Sequence, residues 1–163
     1  MSLLPERIHP SWGSFLTSDF MEMLAPIEKS IGTGYNPDKE KVLRFLSTDL
    51  NRLKIVVLGQ DPYPEKGAAT GRAFEVGGLR TWDSPFRQAS LKNIIRLIYK
   101  AQKGIEDYAS IPTFSGILEE MKSGRFLIAD PPALFDHLEK QGVLFLNTSF
   151  TVFPGKPLSH SDL

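Results

Sequence analysis

Ile55-Val56-Val57-Leu58 is an uninterrupted apolar run that stops at Gly59-Gln60-Asp61-Pro62-Tyr63. Four apolar residues in a row predict a strand buried on both faces, and the Gly-Gln-Asp-Pro sequence cannot continue it. A second wholly apolar run, Val143-Leu144-Phe145-Leu146, stops in the same way at Asn147-Thr148. Strand, helix, strand in this order predicts a parallel sheet sandwiched by helices. The expected fold class is therefore α/β, a three-layer α/β/α arrangement around a central parallel sheet. In open sheets of this kind ligands bind just past the carboxyl ends of the strands. Asp61 and Asn147 both fall there, so a carboxylate and an amide would face one crevice. Read from the residues alone, Asp61 is equally a turn residue capping a helix, and Asn147 a turn residue after a strand.

The intervening segments carry their own signals. Thr17-Ser18-Asp19 predicts the start of a helix running to about Ile31, with Gly32 and Gly34 ending it. Asn36-Pro37-Asp38-Lys39-Glu40 predicts another start, with Val42, Leu43, Phe45 and Leu46 as its apolar face. After a flexible loop, Gly67 to Gly71, the alternation Arg72-Ala73-Phe74-Glu75-Val76 predicts a short strand. Residues 77–89 read as a long loop carrying Trp82, Pro85 and Phe86. Ser90 is expected to cap a helix that buries Leu91, Ile94, Ile95 and Ile98. Ser115 to Lys122 predicts a further helix closed by Gly124, and Pro131-Pro132 open one closed by Gly142.

A chain of 163 residues predicts a single domain, 1–163. Lys+Arg 19 balance Asp+Glu 19, so the chain is not a polycation that coats nucleic acid. Any DNA binding must come from a local basic face and specific contacts. With Cys 0 and His 3, thiolate sites are excluded and a histidine-rich metal cluster is not expected, so no metal is assigned. No apolar run approaches the roughly 20 residues that span a bilayer. The start, Met1-Ser2-Leu3-Leu4-Pro5-Glu6-Arg7, has no basic region followed by an apolar one. No membrane is expected as a partner, and the expected location is cytoplasmic.

Four blocks, in order, resemble a known family. Gly59-Gln60-Asp61-Pro62-Tyr63 resembles the water-activating loop of uracil-DNA glycosylases of the family-1 type. Gly71-Arg72-Ala73-Phe74-Glu75-Val76 is similar to the segment carrying their uracil-stacking phenylalanine. Ser90-Leu91-Lys92-Asn93-Ile94 resembles the end of their DNA-compressing loop and the helix after it. Gln141 to Thr148 resembles their uracil-recognition strand, and Gly155 and Ser159-His160 match the loop that follows. Four ordered blocks are far more specific than any one of them.

The resemblance implies a role for each residue. Asp61 would activate water for hydrolysis of the N-glycosidic bond, with no cofactor and no metal. Phe74 would stack on the flipped uracil, and Asn147 would read its edge. Tyr63 would exclude the methyl group of thymine. Gln60 would add pocket contacts. Ser90, Arg87 and Lys92 are candidate DNA contacts, with Arg80 nearby in the chain. Uracil-containing DNA would be the partner. Without the resemblance, Phe74 reads as a core aromatic, Tyr63 as a surface tyrosine, Ser90 as a cap and the basic residues as solvated.

The chain also departs from the family pattern. Pro64 stands where a histidine commonly follows the tyrosine, and the stretch between Phe74 and Ser90 is longer. Family members continue past the segment resembling Pro157-Leu158-Ser159-His160 to a further strand and a loop bearing a histidine and a leucine. The domain is therefore expected to be C-terminally incomplete, with its last strand missing. An open apolar edge is then expected at Val143–Leu146, covered by a dimer or protein partner. The alternative function is an impaired glycosylase-like domain that binds uracil, DNA or a protein. A phosphohydrolase using Asp61 as nucleophile would need a second acid or a lysine for Mg²⁺ and phosphate, which Pro62-Tyr63 does not provide.

Overall fold

The computed structural model describes residues 2–162. They divide into two compact units. One is built from the chain up to Gly78 and from Asp136 onward, the other from Leu79–Phe135.

In the first unit, helix α1 spans Ser18–Ile31. Thr17 caps it, its hydroxyl oxygen accepting from Phe20 N, and Gly32 ends it at φ +68°. These are the expected boundaries. The second predicted helix is shorter than its apolar pattern. Helix α2 covers only Lys39–Val42, and the chain then tightens into a 3-10 turn at Arg44–Ser47. Leu24 and Ile31 of α1 meet Val42, Leu43, Leu46 and Trp12 in one apolar cluster. The indole N–H of Trp12 is satisfied by Thr48 O at 2.7 Å, which lets this large side chain be buried.

Strands β1, Ile55–Gly59, and β2, Val143–Asn147, pair in parallel with Gly59 opposite Asn147. The parallel sheet of the α/β class is thus present, with two strands among the described residues. One expectation fails here. β1 is not buried on both faces: Ile55, Val56 and Leu58 are 56%, 51% and 60% exposed. An apolar run reports a strand but not how many neighbours cover it, and β1 is paired along one side only. β2 is better covered, with Leu144, Phe145 and Asn147 buried. The exposed apolar residues therefore lie on β1, not on the Val143–Leu146 strand where they were expected.

A second expectation fails at Arg72–Val76. This segment is a turn, not a strand. Gly71 has φ +84° and Phe74 φ +66°, values an extended strand cannot hold. The cause is electrostatic. Arg72 pairs with Glu75 three residues on, and with Asp136 and Glu139. Residues i and i+3 of a strand face opposite ways, so this pairing needs a folded chain.

In the second unit, helix α3 spans Ala89–Lys103 and buries Leu91, Ile95 and Tyr99. Ser90 is the second residue of α3, and Gln88 occupies the cap position without a side-chain cap bond. The capping role expected for Ser90 is therefore overturned, because the helix begins one residue before it. Residues 77–88 form the expected loop, in which Trp82 is buried and donates its N–H to Ala129 O at 2.8 Å. Helix α4, Phe114–Lys122, is capped by Thr113 and followed by Gly124 at φ +73°. Helix α5, Pro131–Lys140, begins in the second unit and ends in the first. Gly142, at φ +94°, turns the chain from α5 into β2.

Candidate active site

The site grows from the paired strand ends. Beyond the ladder the two segments stay joined: Thr148 N donates to Gly59 O at 3.0 Å, and Ser149 N and Thr148 Oγ1 both donate to Gln60 O. Gln60 is thus held by its carbonyl while its side chain is exposed. The resulting Gln60–Tyr63 loop lies against the end of β2, so Asp61 and Asn147 share one end of the sheet.

Asn147 is 6% exposed. Its position is reported most sharply by Gly59. A Cβ on Gly59 would strike Asn147 Oδ1, lie 2.9 Å from Ala73 Cβ and lie 3.5 Å from Phe74 Cζ. The amide of Asn147 and the rim of the Phe74 ring therefore meet over one backbone atom. The sequence places these two residues 73 positions apart, and both were expected to touch a single ligand. Ala73 N donates to Phe145 O at 3.3 Å, which ties the Phe74 turn to β2. The positive φ of Phe74 thus belongs to a turn that is anchored on both sides of the ring.

Tyr63 joins the same group. Its hydroxyl donates to Phe74 O at 3.4 Å. Burial pushes the Tyr63 phenol up to about 12, with Glu65 adding to the effect, so the ring stays neutral at any ordinary pH. Asp61 is half-buried, and its Oδ2 accepts from Leu158 N at 2.7 Å. Of the expected site residues, the structure therefore brings together Tyr63, Phe74 and Asn147, with Gln60 and Asp61 on the loop that leaves β1 at the same end of the sheet. Chemically this is a buried amide, an aromatic ring and a neutral phenol in one group, with a half-buried carboxylate on the loop that leaves the same strand end. Among the described residues, no group of three or more His, Cys, Asp or Glu is placed to hold a metal ion.

Gly59→Ala follows as an expected outcome. The added methyl has no room between Asn147 and Ala73, so it should destabilise the fold by about 1–3 kcal/mol. A urea unfolding midpoint unchanged from the wild type would show that the strand ends are less crowded than described.

Known proteins are similar to this chain in sequence and fold. No protein-family model matches the chain. The uracil-DNA glycosylase of Salmonella arizonae is 37% identical over 131 residues, 80% of this chain and 45% of that protein. That of Coxiella burnetii is 34% identical over 148 residues, 88% of this chain and 52% of that protein. The crystal structure of the UNG from Nitratifractor salsuginis superposes with a TM-score of 0.63 at 25% identity, covering 91% of this chain and 62% of that one. The chain is a homologue of the uracil-DNA glycosylases. It spans about half the length of these two curated relatives. Mimivirus uracil-DNA glycosylase, 18% identical with a TM-score of 0.61, shares the fold.

Against the glycosylase pattern, Pro64 brings no side-chain donor beside Asp61. Its carbonyl instead accepts from Asn36 Nδ2 at 3.0 Å and from Gly155 N at 3.1 Å. Position 64 thus braces the loop through its backbone. Ser90, Arg87 and Lys92, the residues expected to contact DNA, all lie in the second unit. Ser90 and Arg87 are exposed. Lys92 is less free, with its ammonium 5.0 Å from the Phe86 ring centre and 5.8 Å from that of Phe114. Such a cation–π pair is also a structural use for the lysine.

Two groups at the site were not anticipated. Arg72 holds the Phe74 turn, and its only sequence trace is Glu75 three residues on. Leu158 holds Asp61, and nothing in its local sequence announces that contact.

Proposed function

We propose that this chain releases uracil from DNA by hydrolysing the N-glycosidic bond. The observation that carries the reading is the meeting of Asn147 Oδ1 and the Phe74 ring at Gly59, with Asp61 and Tyr63 on the adjoining loop. A base must leave the stack before an enzyme can reach its glycosidic bond. Once flipped, uracil would lie flat on Phe74. The Asn147 amide offers a donor for uracil O4 and an acceptor for N3–H. Cytosine presents the opposite polarity, leaving buried groups unpaired at about 1–3 kcal/mol each. Tyr63 would close the space beside C5, where thymine carries a methyl group. A steric block suits that task, because a mere lack of favourable methyl contact discriminates weakly.

The bond between sugar C1′ and uracil N1 breaks with its electron pair leaving on the base. A water oxygen bonds to C1′, and its proton passes through the Asp61 carboxylate towards solvent. Asp61 both orients that water and offsets the positive charge developing on the sugar. Ser90, Arg87 and Lys92 would contact the DNA backbone, where charge and hydroxyl groups position the duplex without reading its sequence. A cytoplasmic location accompanies this reading, in keeping with a chain that has no cysteine.

Free uracil titrated into ¹⁵N-labelled protein tests the pocket without requiring catalysis. The Asn147 side-chain amide should shift on addition of uracil and stay unmoved with cytosine. Equal responses to both bases would remove Asn147 as the edge reader.

A further inference from the structure

The candidate carboxylate is not held by its own loop alone. Asp61 Oδ2 accepts from the backbone N–H of Leu158, 97 residues further along the chain. Leu158 has φ +63°. A residue with a branched side chain keeps that left-handed value only where its surroundings enforce it. Burial of the leucine is not what enforces it, since the side chain is 47% exposed.

The surrounding loop supplies the restraint. Phe153 and Lys156 form an antiparallel bridge, and Ser159 Oγ accepts from Phe153 N at 2.7 Å. Behind them His160 is 5% exposed, with Nδ1 2.8 Å from Thr151 Oγ1. Burial holds its imidazole below the usual range, so it is a neutral packing group. Ser149 Oγ lies 3.1 Å from the carbonyl oxygens of both Thr151 and His160, tying the loop to the residue two beyond Asn147. The other side is tied by Gly155 N to Pro64 O at 3.1 Å.

We propose that the loop from Phe153 to His160 is a clamp that fixes the rotamer of Asp61 through the Leu158 N–H. One carboxylate oxygen is committed to the protein and the other is aimed at the attacking water. This rests on the reading of Asp61 as the group that orients water. Leu158 is a positioning residue: it acts through Asp61, and it acts with its backbone. A charge-assisted hydrogen bond removes the rotation a free carboxylate would have. The reaction needs that order, because small misplacements of a reacting group cost rate steeply. The left-handed φ is what turns the N–H towards Asp61.

Two replacements separate the clamp from the leucine side chain. Leu158→Gly keeps both the donor and the positive φ, whereas Leu158→Pro lacks the donor and, with its φ fixed at about −65°, cannot hold the left-handed turn either. In uracil release from a single-uracil oligonucleotide, kcat for L158P should lie about 10-fold or more below that for L158G, as expected for one charge-assisted hydrogen bond. KM should agree within about 2-fold, because the contact touches no part of the substrate. Equal kcat values, or a loss confined to KM, would overturn the clamp. Hydrogen exchange at the Leu158 amide tests the same contact without any activity. It should quicken about 10-fold in Asp61→Ala relative to the wild-type chain. Equal exchange rates would overturn the clamp. A wild-type chain that releases no uracil would overturn the excision reading, and the exchange measurement would still decide the clamp.

Discussion

Asp61→Asn should slow uracil release by at least about 100-fold while leaving the fold intact, since positioned acid–base groups typically contribute 10²–10⁴-fold. Asparagine is nearly the same size as aspartate and retains one oxygen that can accept from Leu158 N. The loop contact at 2.7 Å therefore survives in weakened form. What is lost is the negative charge. A neutral amide cannot take up the proton of the attacking water, and it cannot offset cationic charge at C1′. Binding of uracil itself should change little, because Asn147 and Phe74 make the expected contacts with the base. Single-turnover release from a single-uracil oligonucleotide measures the effect. A variant with the wild-type rate would remove Asp61 from the chemistry.

Arg72→Met should cost about 3–5 kcal/mol of stability, the range for breaking a buried charge pair by removing one partner. The Arg72 side chain is 10% exposed and that of Glu75 13%. Burial alone would pull the Arg72 guanidinium down, but Glu75, Glu139 and Asp136 outweigh it and hold the group above its ordinary range. Arg44 is pulled down by its own burial and by Arg72, and it faces Glu75 from further away, with its guanidinium 3.9 Å from Glu75 Oε2. Glu75 Oε2 is already buried without a hydrogen-bond partner. Removing the guanidinium would leave that carboxylate only the more distant Arg44, and Glu139 only the Thr48 hydroxyl that donates to it at 2.6 Å. The Phe74 turn should loosen as well, because the same arginine folds residues 72–75 back on themselves. Urea unfolding of the wild type and variant measures the difference. A loss below about 1 kcal/mol, the range of an exposed ion pair, would mean that water reaches the cluster freely.

The strand ends were legible because short apolar runs stop abruptly. Asp61 and Asn147 were read as lying at corresponding strand ends, and the register places Gly59, two residues before Asp61, opposite Asn147. The cap at Thr17 and the turn at Gly142 were legible for the same local reason: each uses a residue type that suits one backbone conformation. The cover over β1 was not legible, because burial depends on neighbours the run itself does not specify. The turn at Arg72–Val76 was misread as a strand because apolar alternation was weighed above charge spacing. Arg72 and Glu75, three apart, were the available clue. The hold of Leu158 on Asp61 had no local trace at all, since it joins residues 97 apart through a backbone N–H.

The most direct measurement sets a single-uracil oligonucleotide beside matched oligonucleotides carrying cytosine or thymine at the same position. Uracil release from the first alone is the result expected of a pocket that pairs an amide edge with a flat ring and a steric stop. Release of all three bases, or of none, would contradict it.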